Sequence, residues 1–300
     1  MRILSKCTRL PQYGSVRLMK TIETLFPAGH FYSPICDPDD LIARQKEIWP
    51  ELIVDPTDQA IDYRIPQQLA ILEKFAAYVQ EIDFPVDPPA DPRRYFYTND
   101  QYPCLDAEAL YCFMRYLTPR SIVEVGSGFS TLIMAELNRR KLQREIDLTC
   151  VEPYPRQFLI DGVPGVGKLL RERVQSIGLE LFTQLQPGDI LFIDSSHVSK
   201  TGSDVNYLIF HVLPVLAPGV YVHIHDIFLP DDYPKRWAIE EGRNWNEQYV
   251  MRAFLQFNHS FEIVWGSYLL STRYAQRTAS VFSRFPRLGG GGSLWLRRSV

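Results

Sequence analysis

The chain has 300 residues, 46% of them hydrophobic and 22% charged, with a formal net charge of -3 and a pI of about 6.1. That is globular composition, with length enough for a sizeable core in one large domain or two small ones. The near-neutral balance lacks the basic footprint of a nucleic-acid binder, so no nucleic-acid partner is expected.

The start is locally basic: Arg2, Lys6, Arg9, Arg17 and Lys20 all precede the first acid, Glu23. It has no apolar h-region, so it reads as a solvated start and not as a secretory signal. The five cysteines, Cys7, Cys36, Cys104, Cys112 and Cys150, form no C-x-x-C pair. They indicate a reducing compartment without structural zinc or a disulfide framework, and a cytoplasmic protein is expected. The most apolar stretch, 207–227, is interrupted by Pro214 and Pro218-Gly219 and carries three histidines. It predicts a helix, a turn and a buried strand, so no membrane span is expected.

Residues 1–100 read as a helical, proline-rich extension that packs on a core domain formed by 101–300. DPDDLIARQKEIWP has Asp37 as N-cap and Pro38 at the first helical position, and stops at Pro50. QQLAILEKFAAYVQEI places Leu69, Leu72, Ala76 and Val79 on one helical face. FPVDPPADPRRYF, 84–96, is a stiff connector. DAEALYCFMRYL, 106–117, reads as an amphipathic helix capped by Asp106, with Leu110, Phe113, Met114 and Leu117 on one face.

From 121 the pattern changes. SIVEVG predicts a strand and STLIMAELNRR a helix. IDLTCVEP (strand), PRQFLIDG (helix), RVQSI (strand) and DILFIDSS (strand) follow. DVNYLIFHVLPVL predicts a helix and GVYVHIHDI a strand. This alternation indicates an α/β fold with a parallel sheet and crossover helices. WNEQYVMRAFLQF, 245–257, predicts a helix burying Tyr249, Val250, Ala253, Phe254 and Phe257. FEIVWGSYLLS, 261–271, reads as a strand. The glycine run 289–292 leads into SLWLRR, where Leu294 and Leu296 alternate with Trp295 and Arg297 as in a strand.

The first chemical signal is a Gly-x-Gly turn after a strand, which brings backbone close to a ligand and presents a helix N-terminus. Glu124 lies two residues before Gly126 inside an apolar strand. A buried carboxylate there needs donors, and a ligand ammonium group would supply them directly or through water. A dinucleotide site wants a third glycine where this chain has Thr131. An adenosylmethionine site wants a glycine turn for the methionine moiety and a ribose-binding acid after the next strand, where Glu152 stands. A glycine turn serving only strand–helix packing is the competing reading.

The second signal is at the strand ends. Asp194 and Asp226 follow successive strands and open onto one cleft. Two acids with a histidine nearby suit a hard divalent cation such as Mg2+, which would polarise a hydroxyl. His197, three residues after Asp194, is placed to remove the proton as general base. The competing reading has Asp194 capping a turn and His225 packing beside the sheet. His223 shares a face with His225 and reads as an interior histidine. His30 reads as part of a flap over the cleft or as packing, Lys200 and Asp204 read equally as substrate contacts or solvated loop charge, and the run Tyr95-Phe96-Tyr97 reads as packing ahead of a cofactor lid.

SIVEVGSGFST resembles motif I of class I S-adenosylmethionine-dependent methyltransferases, with Glu152 at the ribose position, ILFIDSSH at the fourth strand and GVYVHIHDIF at the fifth. GHFYSPI, DSSHVSKTGSDVNY, HDIFLPDDYP and WNEQY resemble a bacterial subfamily related to metal-dependent sugar and natural-product O-methyltransferases. The resemblance runs from about residue 27 to the end. It implies a Rossmann-like methyltransferase sheet, mostly parallel with an antiparallel last strand, for which SLWLRR is suited. It implies S-adenosylmethionine as cofactor, held by Glu124, Gly126, Ser127, Gly128, Thr131, Glu152, Ser176 and Asp194, and a small-molecule or sugar acceptor. A homo-oligomer is compatible with it. In the relatives an Asp-x-x-His segment supplies a metal ligand and the base, matched by Asp194 and His197. An acid pair supplies the remaining ligands. Here that pair is His225-Asp226, so the implied metal set is Asp194, His225 and Asp226, and a softer ion, or none, stays open. Two other functions also stay open: a catalytically silent adenosylmethionine or nucleotide binder, and a nicotinamide-dependent oxidoreductase, which Thr131 and Glu124 disfavour.

Overall fold

The computed structural model describes residues 25–50, 60–140, 142 and 146–300; the basic start discussed above lies outside them. Two short helices, α1 (Pro38–Ala43) and α2 (Gln45–Ile48), precede α3 (Ile65–Val79) and α4 (Cys104–Leu117). Then come β1 (Ser121–Val125), α5 (Phe129–Arg140), β2 (Asp147–Val151), α6 (Gln157–Ile160), β3 (Lys168–Leu170), α7 (Glu180–Thr183), β4 (Ile190–Ile193) and α8 (Asp204–Tyr207). The chain closes with β5 (Tyr221–Ile224), α9 (Lys235–Ile239), α10 (Glu247–Leu255), β6 (Phe261–Gly266), α11 (Ser267–Arg273), α12 (Ala275–Val281), α13 (Phe285–Leu288) and β7 (Leu294–Arg298).

The strands form one sheet in the order β3-β2-β1-β4-β5-β7-β6. β1 to β5 are parallel, and β7 runs antiparallel between β5 and β6. This is the Rossmann-like methyltransferase sheet expected from the sequence. Ile190, Leu191, Phe192 and Ile193 of β4 are all buried, because helices cover both faces of a parallel sheet. Ile122 and Phe192 face a core with Phe75, Phe113 and Trp265. Val123, Leu191 and Ile193 face a second core with Val212, Met251 and Leu255. Burying each such side chain contributes about 1.5–3 kcal/mol.

Several elements differ from their sequence reading. RVQSI is not a strand: Val174–Ser176 is a 3-10 turn, and the third strand is Lys168–Leu170, paired with β2. Three residues at a sheet edge carry too little apolar pattern to announce themselves. The stretch 204–216 is α8, a π turn and a 3-10 turn in succession, as expected where Pro214 removes a helix donor. FEIVWGSYLLS is a strand only to Gly266 and a helix from Ser267. In α3, Phe75 is buried and Ala76 exposed. Asp106 does not cap α4; the N-cap is Pro103, and Asp106 lies inside the helix, fully buried.

The early helices pack on the sheet. Gln68 of α3 donates to Tyr63 O at 2.6 Å and accepts from Gly266 N at 2.8 Å. Trp49 Nε1 donates to Tyr233 O at 2.8 Å. No helix among the described residues is long and apolar enough to cross a membrane.

Candidate active site

At the carboxyl ends of the parallel strands, where the order switches between β1 and β4, lies a cavity of about 1560 Å³. Ligands of open α/β sheets bind at such a switch point. Drug-sized pockets run to about 300–1,000 Å³, so the space admits two ligands side by side.

The glycine turn forms one wall. Gly126 has φ +83, and a Cβ there would stand 1.7 Å from Asp194 O. Only glycine lets β1 leave the sheet so close to the end of β4. Ser127 N and Tyr154 N donate to the two Glu152 oxygens at 3.1 and 2.7 Å. Gly126, Ser127, Gly128, Glu152 and Asp194 line the cavity. Burial raises the Glu152 pKa against those backbone donors.

Glu124, Thr131 and Ser176 are not in that lining. Ser130 Oγ and Thr131 Oγ1 donate to Glu124 at 2.7 and 2.6 Å, and Cys150 Sγ approaches at 3.3 Å. Thr131 Oγ1 in turn accepts from Gly128 N at 3.0 Å. Glu124 therefore ties the turn to α5 from behind. The donors expected of a ligand ammonium come from the protein's own hydroxyls. Burial pushes this carboxyl up to about 7 despite them. Ser176 is exposed on its 3-10 turn, while its neighbours Val174 and Gln175 line the cavity.

The opposite wall gathers two histidines and two aspartates. His197 Nε2 stands 3.3 Å from Asp194 Oδ1 and 3.5 Å from Asp226 Oδ2. His225 Nδ1 stands 3.5 Å from each of the same two oxygens. Each imidazole has a further carboxylate at its far nitrogen. Glu247 Oε2 of α10 lies 2.9 Å from His197 Nδ1, and Asp106 Oδ2 of α4 lies 3.2 Å from His225 Nε2. Sequence reasoning missed both outer acids. Asp106 is held by Gly292 N at 2.9 Å and Ser293 N at 3.0 Å, so the glycine run is a wall of the cavity and a seat for this carboxylate.

Burial opposes the charged form of His197, but Asp194, Glu247 and Asp226 outweigh it and push its pKa up to about 10. For the same reason His225 is raised well above its ordinary value, against burial, by Asp226 and Asp194. Asp194 is driven far below the carboxylate range: burial works against this, and His225 and His197 prevail. His197 (φ 60) and Asp226 (φ 58) both adopt the left-handed region, and such backbone strain clusters at functional sites.

His223 is fully buried, stacked 3.8 Å from Phe192, and bonded to Ser293 Oγ at 2.8 Å; burial pushes it down to about 3. His30 stacks 4.7 Å from Phe26, outside the cavity lining. Tyr95 and Tyr97 are buried packing groups. Lys200 and Asp204 line the cavity; Asp204 accepts from Ser196 N at 2.9 Å, which fixes the loop before His197. Trp237, Trp245 and Arg243 add an aromatic and cationic rim, the guanidinium 4.0 Å from the Trp237 ring.

A family model described as a methyltransferase domain matches residues 123–227. An uncharacterized protein of Archaeoglobus fulgidus is 31% identical over 205 residues, which is 66% of this chain and 92% of that one. A solved protein of Klebsiella pneumoniae, described as an O-methyltransferase, overlays with a TM-score of 0.38 at 15% identity, covering 86% of this chain and 97% of its own. A Thermobifida fusca protein described as a methyltransferase gives 0.39 at 12% identity, covering 84% and 100%. At these scores neither overlay bears on residue roles.

Proposed function

We propose that this chain, whose residues 123–227 match a methyltransferase-domain family model, moves the methyl group of S-adenosylmethionine to a hydroxyl oxygen of a small molecule or sugar. One observation carries this reading: the 126–128 turn and Glu152 open into the same cavity as Asp194, His197 and Asp226. The turn and Glu152 would hold the cofactor, Glu152 accepting from the ribose hydroxyls with the lone pairs its backbone donors leave. The acceptor would sit against the strand ends and the Trp237–Trp245 rim.

S-adenosylmethionine bound there would supply the methyl group, its sulfonium leaving as the neutral thioether when the acceptor oxygen takes the methyl carbon. The acceptor proton passes to His197 Nε2, and Glu247 holds the ring so that this nitrogen faces the cavity. His197 must first be neutral, and beside three carboxylates it holds its proton. Asp194, His197 and Asp226 each offer one ligand atom within 4.8 Å of the others, with His225 Nδ1 3.5 Å from the same two aspartate oxygens, and these residues would hold a divalent ion. Bound there, a divalent ion supplies polarisation of the hydroxyl and lowers the pKa of the neighbouring imidazole. Positioning the two reactants and excluding water provides much of the remaining rate.

Calorimetric titration of the purified protein tests the reading. Adenosylhomocysteine should bind in the micromolar range, about -8 kcal/mol, and NAD should not. Undetectable binding at millimolar adenosylhomocysteine would sink it.

A further inference from the structure

We propose that the acceptor carries an oxyanion, a carboxylate or phosphate, one ring away from the hydroxyl that takes the methyl group, and that Arg243, with Arg236 and Lys200, selects it. The inference deepens the proposed function and rests on its placing of the acceptor against the Trp237–Trp245 rim.

The argument begins with Arg243. Its Nε donates to Glu241 Oε2 at 2.6 Å, and its backbone N donates to Trp237 O at 2.9 Å. Its guanidinium lies 4.0 Å from the Trp237 ring and 4.8 Å from the Trp245 ring. The group is therefore fixed before any ligand arrives. Its two terminal nitrogens make no hydrogen bond among the described residues. A planar fork held in this way matches a carboxylate or phosphate through two parallel N–H···O bonds.

The surroundings leave an excess of positive charge at the rim. Glu241 is shared: its Oε1 lies 2.9 Å from Arg236 Nε while its Oε2 takes Arg243, so one carboxylate faces two guanidinium groups. Lys200 joins them from the loop after β4 and lines the same cavity, with no described carboxylate at its ammonium. That loop is tied to the rim, because Ser199 N donates to Asn246 Oδ1 at 2.6 Å and Asn246 Nδ2 donates to Ser199 O at 3.1 Å. Arg156 and Arg173 also line the cavity, but after β2 and β3, on the glycine-turn side.

The neighbouring acids already have partners. Asp194 and Asp226 face His197 and His225, and Asp204 accepts from Ser196 N at 2.9 Å. An anionic acceptor is repelled by the aspartates at the strand ends and attracted by the rim, which orients it. Trp245 sets the separation. Its ring lies 4.4 Å from the His197 ring and 4.8 Å from the Arg243 guanidinium. A single ring stacked along Trp245 would present its hydroxyl to the strand ends and its oxyanion to Arg243.

The test uses the full chain saturated with adenosylhomocysteine and calorimetric titration with matched probes: para-hydroxybenzoate against para-hydroxybenzyl alcohol, and glucuronate against glucose. Inorganic phosphate is titrated into the chain with and without adenosylhomocysteine. In at least one pair the anionic member should bind about tenfold tighter than the neutral one, the gain expected of charge-assisted hydrogen bonds at a partly exposed site. Added salt should shrink that gain and leave the neutral member alone. Arg243→Gln should remove the preference, and Arg243→Lys, which keeps the charge without the fork, should retain part of it. Adenosylhomocysteine binding by each variant reports an intact fold. Equal or absent binding within both pairs, a preference that survives Arg243→Gln, or no phosphate bound at millimolar concentration would overturn the inference. Phosphate binding by a chain that does not bind adenosylhomocysteine would instead sink the methyltransferase reading, so the two failures are distinguishable.

Discussion

Glu247 Oε2 lies 2.9 Å from His197 Nδ1, fifty positions away in the chain, and both side chains are almost fully buried. The contact joins a helix on one layer of the sandwich to the loop after β4. It fixes which ring nitrogen faces the cavity. Asp106 does the same for His225 from the opposite layer, so both imidazoles are aimed at the same two aspartates by acids behind them.

If His197 takes the acceptor proton, His197→Ala should slow turnover by about 10²–10⁴-fold while adenosylhomocysteine still binds. Glu247→Gln should give a smaller loss with a shifted pH–rate profile, because the amide holds the ring and alters its basicity. Near-normal turnover by His197→Ala, once an acceptor is in hand, would rule out the base. Full activity in excess chelator would rule out an essential exchangeable ion and leave the base standing.

Glu152 joins the glycine turn to the end of β2 and lines the cavity. Glu152→Ala should weaken adenosylmethionine binding by about 1–3 kcal/mol, the range for a lost charge-assisted bond. Unchanged affinity by calorimetry would move the ribose elsewhere.

Gly126→Ala tests the turn. Its Cβ would overlap Asp194 O, and its φ is left-handed. The variant should melt several degrees lower and lose adenosylhomocysteine binding, whereas Gly128→Ala, with open space around its Cβ position, should fold normally. Equal melting of both would remove the close-approach argument.

The metal-free protein should lose stability on the alkaline side. His197 has a folded pKa of about 10 against about 6.5 unfolded, so its contribution is complete below about 6.5 and vanishes as pH rises through the folded value. Asp194 is lowered, so its contribution is present above about 3.9 and is lost as pH falls. Glu124, raised to about 7, adds a loss between about 4.3 and that value. Melting temperature in chelator should fall from pH 7 to 10, and His197→Gln should flatten that limb. An unchanged slope would contradict the assignment.

The first 100 residues should not survive as a separate folded piece. α3 buries Leu69, Leu72 and Phe75 in the same core as Phe113 and Trp265. Limited proteolysis that released a stable fragment of 1–100 would oppose this.

The sheet and the strand-end acids were readable from residues near one another in the chain. Alternating apolar runs and turns dictate parallel strands, parallel strands share a carboxyl edge, and Asp194 and Asp226 each sit at such an end. The glycine turn was readable for the same local reason. Asp106 and Glu247 were not. Asp106 resembles a helix cap and Glu247 a solvent-facing acid, since a buried carboxylate is favourable only beside a partner, and the partners lie 119 and 50 positions away. Packing also decided the face of α10. The apolar stripe through Tyr249, Val250, Ala253, Phe254 and Phe257 predicted the buried side, yet Tyr249 is 48% exposed and Phe257 80%. The inward stripe is Glu247, Gln248, Met251 and Leu255, because Gln248 accepts from Phe228 N at 2.6 Å and Glu247 meets His197. Those hydrogen bonds offset the apolar surface left in water, and they exist only once α10 docks beside the ends of β4 and β5.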